Sequence, residues 1–198
     1  MEADQYLSIS SESQGLYKEK GSKFIALAFP VDSLEEVRSH LEELRKKYHD
    51  ARHHCYAYKI GKESPEYRYN DDGEPSGTAG KPIFGQIESF GLTNVLIVVI
   101  RYFGGIKLGT GGLIQAYKAA TKDALEQADI LTKTMQQMLR IKFPYLAMAD
   151  VMKIIKDEGA DILEQNFTLE GALKIKVRKS RFMEARDKFS SINGVIVE

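Results

Sequence analysis

Two stretches decide the fold: Tyr69-Asn70-Asp71-Asp72-Gly73-Glu74-Pro75-Ser76-Gly77-Thr78-Ala79-Gly80-Lys81-Pro82, and Arg101-Tyr102-Phe103-Gly104-Gly105-Ile106-Lys107-Leu108-Gly109-Thr110-Gly111-Gly112-Leu113. They flank the most apolar run of the chain, and each is followed by residues that read as helix. Glycine at this density marks backbone at positive φ or in close approach to another group, and the helix start that follows offers free N–H groups to an anion. The pattern of loop, buried strand, loop and helix places the chain in the mixed α/β (α+β) class.

Outward from these loops, residues 94–101 are apolar without alternation, the mark of a strand buried on both faces in the middle of a sheet. Residues 24–29 read as a strand stopped by Pro30. The helix that follows has Asp32 or Ser33 as its cap, and carries Leu34, Val37, Leu41, Leu44 and Tyr48 on one face. Residues 54–60 and 67–69 read as a hairpin around Gly61 and Pro65. Thr78 is the expected N-cap of a short helix over 79–89, with Pro82 tolerated in its first turn. Residues 110–127 form the longest expected helix, whose face of Leu113, Tyr117, Ala120, Ala124 and Ala128 permits close approach to the buried strand.

Residues 129–134 read as a polar connector. Beyond it Leu139, Ile141 and Phe143 alternate as a strand, 145–158 is an amphipathic helix closed by Gly159, and 161–169 and 173–178 alternate across a turn. With a helix over 181–189 and a last strand at 195–197, this is the β-α-β-β-α-β order of the ferredoxin-like pattern. Two domains are therefore expected, 1–130 and 135–198. Matching same-face residues across a Glu170-Gly171-Ala172 turn places Thr168 opposite Lys174, Asn166 opposite Lys176 and Glu164 opposite Arg178, with Phe167, Leu169, Leu173 and Ile175 facing the helices.

The 28 basic and 28 acidic residues cancel, which argues against bulk electrostatic binding of nucleic acid and leaves local patches as the only route to it. Residues 1–20 contain no apolar signal-like segment, and the aliphatic run 95–100 is too short to cross a membrane. The single cysteine, Cys55, permits no intrachain disulfide. A cytoplasmic protein with no membrane association is the expectation, and no feature specifies an oligomeric state.

The residues Asp71 to Gly80 and Arg101 to Leu113 quoted above closely resemble the IMPACT family, and the resemblance to its two-domain bacterial members of the YigZ type runs over both domains. It implies that the first domain has the fold of the second domain of ribosomal protein S5, and that the ferredoxin-like second domain is similar to the fifth domain of elongation factor G. The family's eukaryotic members regulate translation by interfering with activation of a stress kinase through an additional N-terminal interaction domain. With the first expected strand starting at residue 24, that domain is not expected here.

Several chemistries are open to these residues. The loop from Gly104 to Gly112 fails the Walker pattern and the dinucleotide fingerprint, which leaves either a glycine turn that seats a helix against a strand or backbone contact with a phosphate. In Arg52-His53-His54-Cys55-Tyr56, strand alternation sends His53 and Cys55 to one face and His54 and Tyr56 to the other, so no metal site and no activated thiol is expected. Asp71, Asp72, Gly73, Glu74, Pro75 and Ser76 read as a surface loop, a tight turn in preference to an ion site. Cations and aromatic faces, Arg52, His54, Lys81, Arg101, Tyr102 and Lys107 with Gly104, Gly105, Gly109, Thr110, Gly111 and Gly112, form the mixture that a nucleic-acid or phosphate-binding surface uses. Arg140, Lys142, Lys174, Lys176 and Arg178 fall on the outer face of the second domain's strands.

The reading is a non-enzymatic RNA- or ribosome-associated protein near translation, with no cofactor and no metal, whose partners are RNA, the ribosome or a translation-associated protein. The alternatives are a kinase-like or hydrolytic enzyme using the glycine-rich loop for a nucleotide or small molecule, and a protein-interaction module presenting residues 71–76. On this reading, removing charge at Arg101 and Lys107 weakens RNA binding without unfolding the chain, whereas Gly111→Val harms folding by crowding the helix start.

Overall fold

The computed structural model describes residues 4–198. It divides into two compact units, Tyr6–Thr132 and Lys133–Glu198, the latter joined by Asp4 and Gln5. In the first unit, β2 (Ser13–Glu19), β3 (Ser22–Pro30), β4 (His53–Ile60), β5 (Glu66–Asn70) and β6 (Val95–Tyr102) form one antiparallel sheet in the order β2-β3-β6-β4-β5. Central β6 is buried from Val95 to Ile100 on both faces because helices cover both. Leu96, Val98 and Ile100 pack with Val37 and Leu44 of α1 (Leu34–Lys47), while Val95, Ile97 and Val99 pack with residues of α2 (Gly80–Ser89) and α3 (Gly109–Glu126). Each such buried aliphatic side chain stabilises the fold by about 1.5–3 kcal/mol relative to exposure.

Ser33 caps α1, its Oγ accepting from Glu36 N–H at 3.2 Å while the Glu36 carboxylate accepts from Asp32 N–H at 2.8 Å. Two strands precede the expected first one: β2, and β1 (Gln5–Ile9), which pairs with β7 (Ile130–Thr134). The polar connector expected at 129–134 is thus largely a strand.

The second unit contains β8 (Gln136–Phe143), a 3-10 turn at Tyr145–Ala147, α4 (Met148–Glu158), β9 (Asp161–Phe167), β10 (Gly171–Arg178), α5 (Phe182–Ser190) and β11 (Ile196–Val197), with strand order β11-β8-β10-β9. Leu173, Ile175 and Val177 are buried against the helices, and Lys174, Lys176 and Arg178 alternate to the other face. The register expected between β9 and β10 is corrected: Phe167 pairs with Gly171 and Glu164 with Lys174, and the turn is Thr168-Leu169-Glu170. Gly171 lies within the strand because Phe143 crosses it; a Cβ there would sit 2.4 Å from the Phe143 ring. Leu169 falls in the turn and is 96% exposed, while Phe167, opposite Gly171 on the edge strand, is 40% exposed.

Strand β2 and helix α3 meet backbone to backbone at Gly15, where a Cβ would lie 2.2 Å from Ala124 N and 2.7 Å from Ala120 O. At Gly111, in the first turn of α3, a Cβ would meet nothing within 4 Å, so the crowding expected there is absent. Gly15→Ala should lower stability by about 1–3 kcal/mol. Gly111→Ala should be neutral or stabilising by up to about 1 kcal/mol, alanine being the better helix former. Urea unfolding of the two variants measures both.

Candidate functional site

Asp71 organises the first of the two loops. Its Oδ1 accepts from Ala79 N–H and Gly80 N–H at 3.0 and 2.8 Å, and its Oδ2 from Gly77 N–H at 2.8 Å. The α2 N-terminus is therefore satisfied by a carboxylate from upstream, and not by Thr78, whose hydroxyl donates to Pro75 O at 2.7 Å. Asp72 accepts from His54 N–H at 2.7 Å, and Gly73 supplies a φ of 86°. Both Asp carboxylates are committed to backbone, as in an Asx-rich turn.

That turn delivers Glu74 inward. Expected on the surface, Glu74 is instead 9% exposed, because its carboxylate accepts from Arg101 Nη1 at 2.5 Å and from Tyr117 Oη at 2.8 Å. Arg101 is 6% exposed, its guanidinium 5.4 Å from the Phe24 ring centroid and 5.6 Å from that of Phe103. The Cys55 thiol donates toward Asp71 O at 3.0 Å and lies 3.2 Å from Tyr117 Oη. Burial pushes both the Cys55 thiol and the Tyr117 phenol well above their ordinary pKa values, so Cys55 is a packed, hydrogen-bonded thiol without nucleophile character. Among the described residues no group of three or more His, Cys, Asp or Glu is placed to hold a metal ion.

Above this pair opens a cleft of about 450 Å³, lined by Arg52, His53, Glu74, Pro75, Arg101, Phe103, Lys107, Leu108, Gly109, Thr110 and Leu113. Register explains the grouping: His53 pairs with Arg101 across β4 and β6, and Arg101 with Phe24 across β6 and β3, so one face of the sheet carries all three. Arg52 and Lys107 are exposed at the cleft and have no ion-pair partner among the described residues. The first turn of α3 has neither a side-chain cap nor an acidic residue, and Cβ atoms at Gly105, Gly109 and Gly111 would meet open space. Gly104 differs, since its Cα approaches the Gly21 and Ser22 backbone too closely for any side chain.

Of the residues expected at the site, Arg52, Arg101, Lys107, Gly109 and Thr110 come together at the cleft, and Gly105, Gly111 and Gly112 belong to the same loop and helix start. His54, Lys81 and Tyr102 are not among the lining residues. Tyr102 belongs to the α1 side of the sheet and donates to Asp50 Oδ1 at 2.8 Å; Lys81 is an exposed residue of α2. The histidine at the cleft is His53, whose Nδ1 donates to Asp72 O at 2.8 Å. Alternation together with the pairing of His53 and Arg101 is the signal that identifies it. Arg101 is not a free cation, so its removal cannot leave folding intact as expected: it would strand the Glu74 carboxylate in the interior.

In the second unit, three of the five outward cations are paired: Lys142 with Glu198 at 2.9 Å, Lys174 with Glu164 at 2.7 Å and Arg178 with Asp4 at 2.8 Å. Arg140 and Lys176 have no ion-pair partner among the described residues, so this face keeps two uncompensated cations, as many as the cleft rim.

Arg101→Ala should destabilise the first unit by about 3–5 kcal/mol, the cost of leaving a buried charge without its partner, as read by chemical denaturation. His54 is buried, and burial holds its pKa below the ordinary 6.5 against the pull of Asp72, whose Oδ2 lies 3.9 Å from its Nδ1. The unfolded chain therefore binds the proton more readily. The His54 contribution to stability is present above 6.5 and is lost as pH falls below it toward the depressed folded value. His54→Phe should flatten stability against pH over that acid range, and an unchanged profile would count against the assignment.

Comparison with known proteins places these features in a family. The Impact N-terminal domain matches residues 20–125, which include every residue of the cleft. The IMPACT family member YigZ of Escherichia coli is 31% identical over 176 residues, 88% of this chain and 86% of its own length. A Thermus thermophilus IMPACT family member is 43% identical over 125 residues, 62% of this chain and 66% of its own. A crystal structure described as that of a hypothetical protein is 28% identical, covers 99% of this chain and 97% of its own, and has a TM-score of 0.76. The chain belongs to the IMPACT family.

Proposed function

We propose that this protein is a cytoplasmic, non-enzymatic RNA- or ribosome-associated protein acting in translation regulation, and that its cleft contacts phosphate. The observation that carries the reading is the juxtaposition of two cations without an ion-pair partner among the described residues, Arg52 and Lys107, with the uncapped first turn of α3. A helix N-terminus favours an anion through its free N–H groups and its dipole, and the neighbouring cations add long-range attraction. Phe103, 51% exposed at the same cleft, offers a ring face to a base. On the same reading the first unit is like the second domain of ribosomal protein S5, and the second unit is ferredoxin-like, similar to the fifth domain of elongation factor G. The β11-β8-β10-β9 order supports the latter. The link to translation is supported by the family resemblance, whose eukaryotic members regulate it.

The test is RNA affinity measured against salt for the wild type and an Arg52→Ala, Lys107→Ala double variant. Both side chains are exposed, so folding should survive. The slope of log affinity against log salt should fall by about 0.7 for each single-strand phosphate that the variant no longer neutralises. Unchanged affinity and slope in a folded variant would remove the cleft from the binding surface.

A further inference from the structure

We infer that the cleft takes a terminal phosphate monoester carried by a single nucleotide unit, at the end of an RNA strand or as a free nucleotide, in preference to an internal phosphodiester. This rests on the phosphate-binding reading above and names its ligand class.

Charge is the first argument. Arg101 lines the cleft, but Glu74 neutralises it through a 2.5 Å contact. Arg52 and Lys107 remain uncompensated, and the N-terminus of α3 adds the equivalent of about half a positive charge. An internal phosphodiester brings one negative charge and leaves most of this unmatched. A phosphate monoester carries about −1.5 to −2 near neutral pH and three acceptor oxygens, which suits two cations and a run of free N–H groups.

Size and access are the second argument. A volume of about 450 Å³ falls in the range of small-molecule sites. It holds one nucleotide and has no room for a duplex. Gly109 lines the cleft and a Cβ there would meet open space, so a phosphate can reach that backbone without meeting a side chain. Arg101 is only 6% exposed, and among the described residues its buried Nε has no hydrogen-bond partner.

The remaining lining suits the rest of a nucleotide. Phe103, Pro75, Leu108 and Leu113 supply apolar surface for a base. His53 donates through Nδ1 to Asp72 O, so Nε2 of the neutral ring is an acceptor. A ribose hydroxyl can donate to it.

The experiment compares one single-stranded RNA oligomer bearing a 5′-phosphate, a 3′-phosphate or hydroxyl ends, with AMP and inorganic phosphate as separate probes. A phosphorylated end should bind about tenfold tighter than the hydroxyl form, the worth of one charge-assisted hydrogen bond. Lys107→Met should erase that difference, and Lys81→Ala, outside the cleft, should preserve it; thermal unfolding checks that both variants fold. The oligomer arms show which end is read. AMP that binds with the same Lys107 dependence, while no oligomer does, identifies a free nucleotide as the source: the inference then stands and the RNA reading falls. Equal affinity for phosphorylated and hydroxyl-ended RNA overturns the inference and leaves RNA binding standing. Failure of every oligomer, AMP and phosphate to bind overturns both.

Discussion

A carboxylate placed in the interior needs compensation, and Glu74 receives it from two elements at once. Its ion pair with Arg101 ties the 70–80 loop to the last turn of the central strand, and its bond from Tyr117 ties the same loop to the long helix α3. Loop, strand and helix are thereby held in register by one charged group whose loss would leave a partner buried and unpaired. Tyr117 reaches Cys55 as well, so β4 joins the same network, and bonds in such a chain reinforce one another in a low-dielectric interior. The cleft inherits its rigidity from this floor. Arg101 contributes shape to it and almost no net charge.

Most of the fold was legible from apolar periodicity. The central strand, the α1 face and the second unit's element order each rest on burial of one or both faces, which leaves its period in the sequence. The elements that escaped lack that signature. Ile130–Thr134 pairs with Gln5–Ile9, more than a hundred positions away, and no residue of Ile130–Thr134 is fully buried. A short polar strand of this kind is defined by its distant partner and not by its own composition. The β9–β10 register failed for a different reason: a glycine that looks like a turn is needed inside β10 for the Phe143 ring to pass.

The site was legible in part. Cations expected beside a glycine-rich helix start include Arg52 and Lys107, and both line the cleft, because sequence proximity to the loop and to β4 is enough to bring them there. His53, and not His54, reaches the cleft, and the strand alternation that puts His53 on the same face as Cys55 already carries that information. Glu74 was hidden by its setting, since Asp-Asp-Gly-Glu-Pro reads as a solvated turn, and only the pairing of β6 with β4 and the position of Tyr117 on α3 reveal that the fourth residue of that turn points inward.

The glycines of the second loop divide by what surrounds them, and the division bears on function. Gly104 is required by the protein itself, because the β3 backbone passes too close for a side chain. At Gly105 and Gly109 a positive φ, 88° and 75°, is needed, while Gly111 has neither a positive φ nor a neighbour. Nothing in the fold asks for glycine at Gly111, where alanine would favour the helix. A position at which the protein gains nothing from a missing side chain, beside uncapped N–H groups and two unpaired cations, is one where something outside the protein can come close. The net charge of zero is no objection, since attraction near a cleft is set by the local imbalance there and is screened beyond a Debye length of about 8 Å.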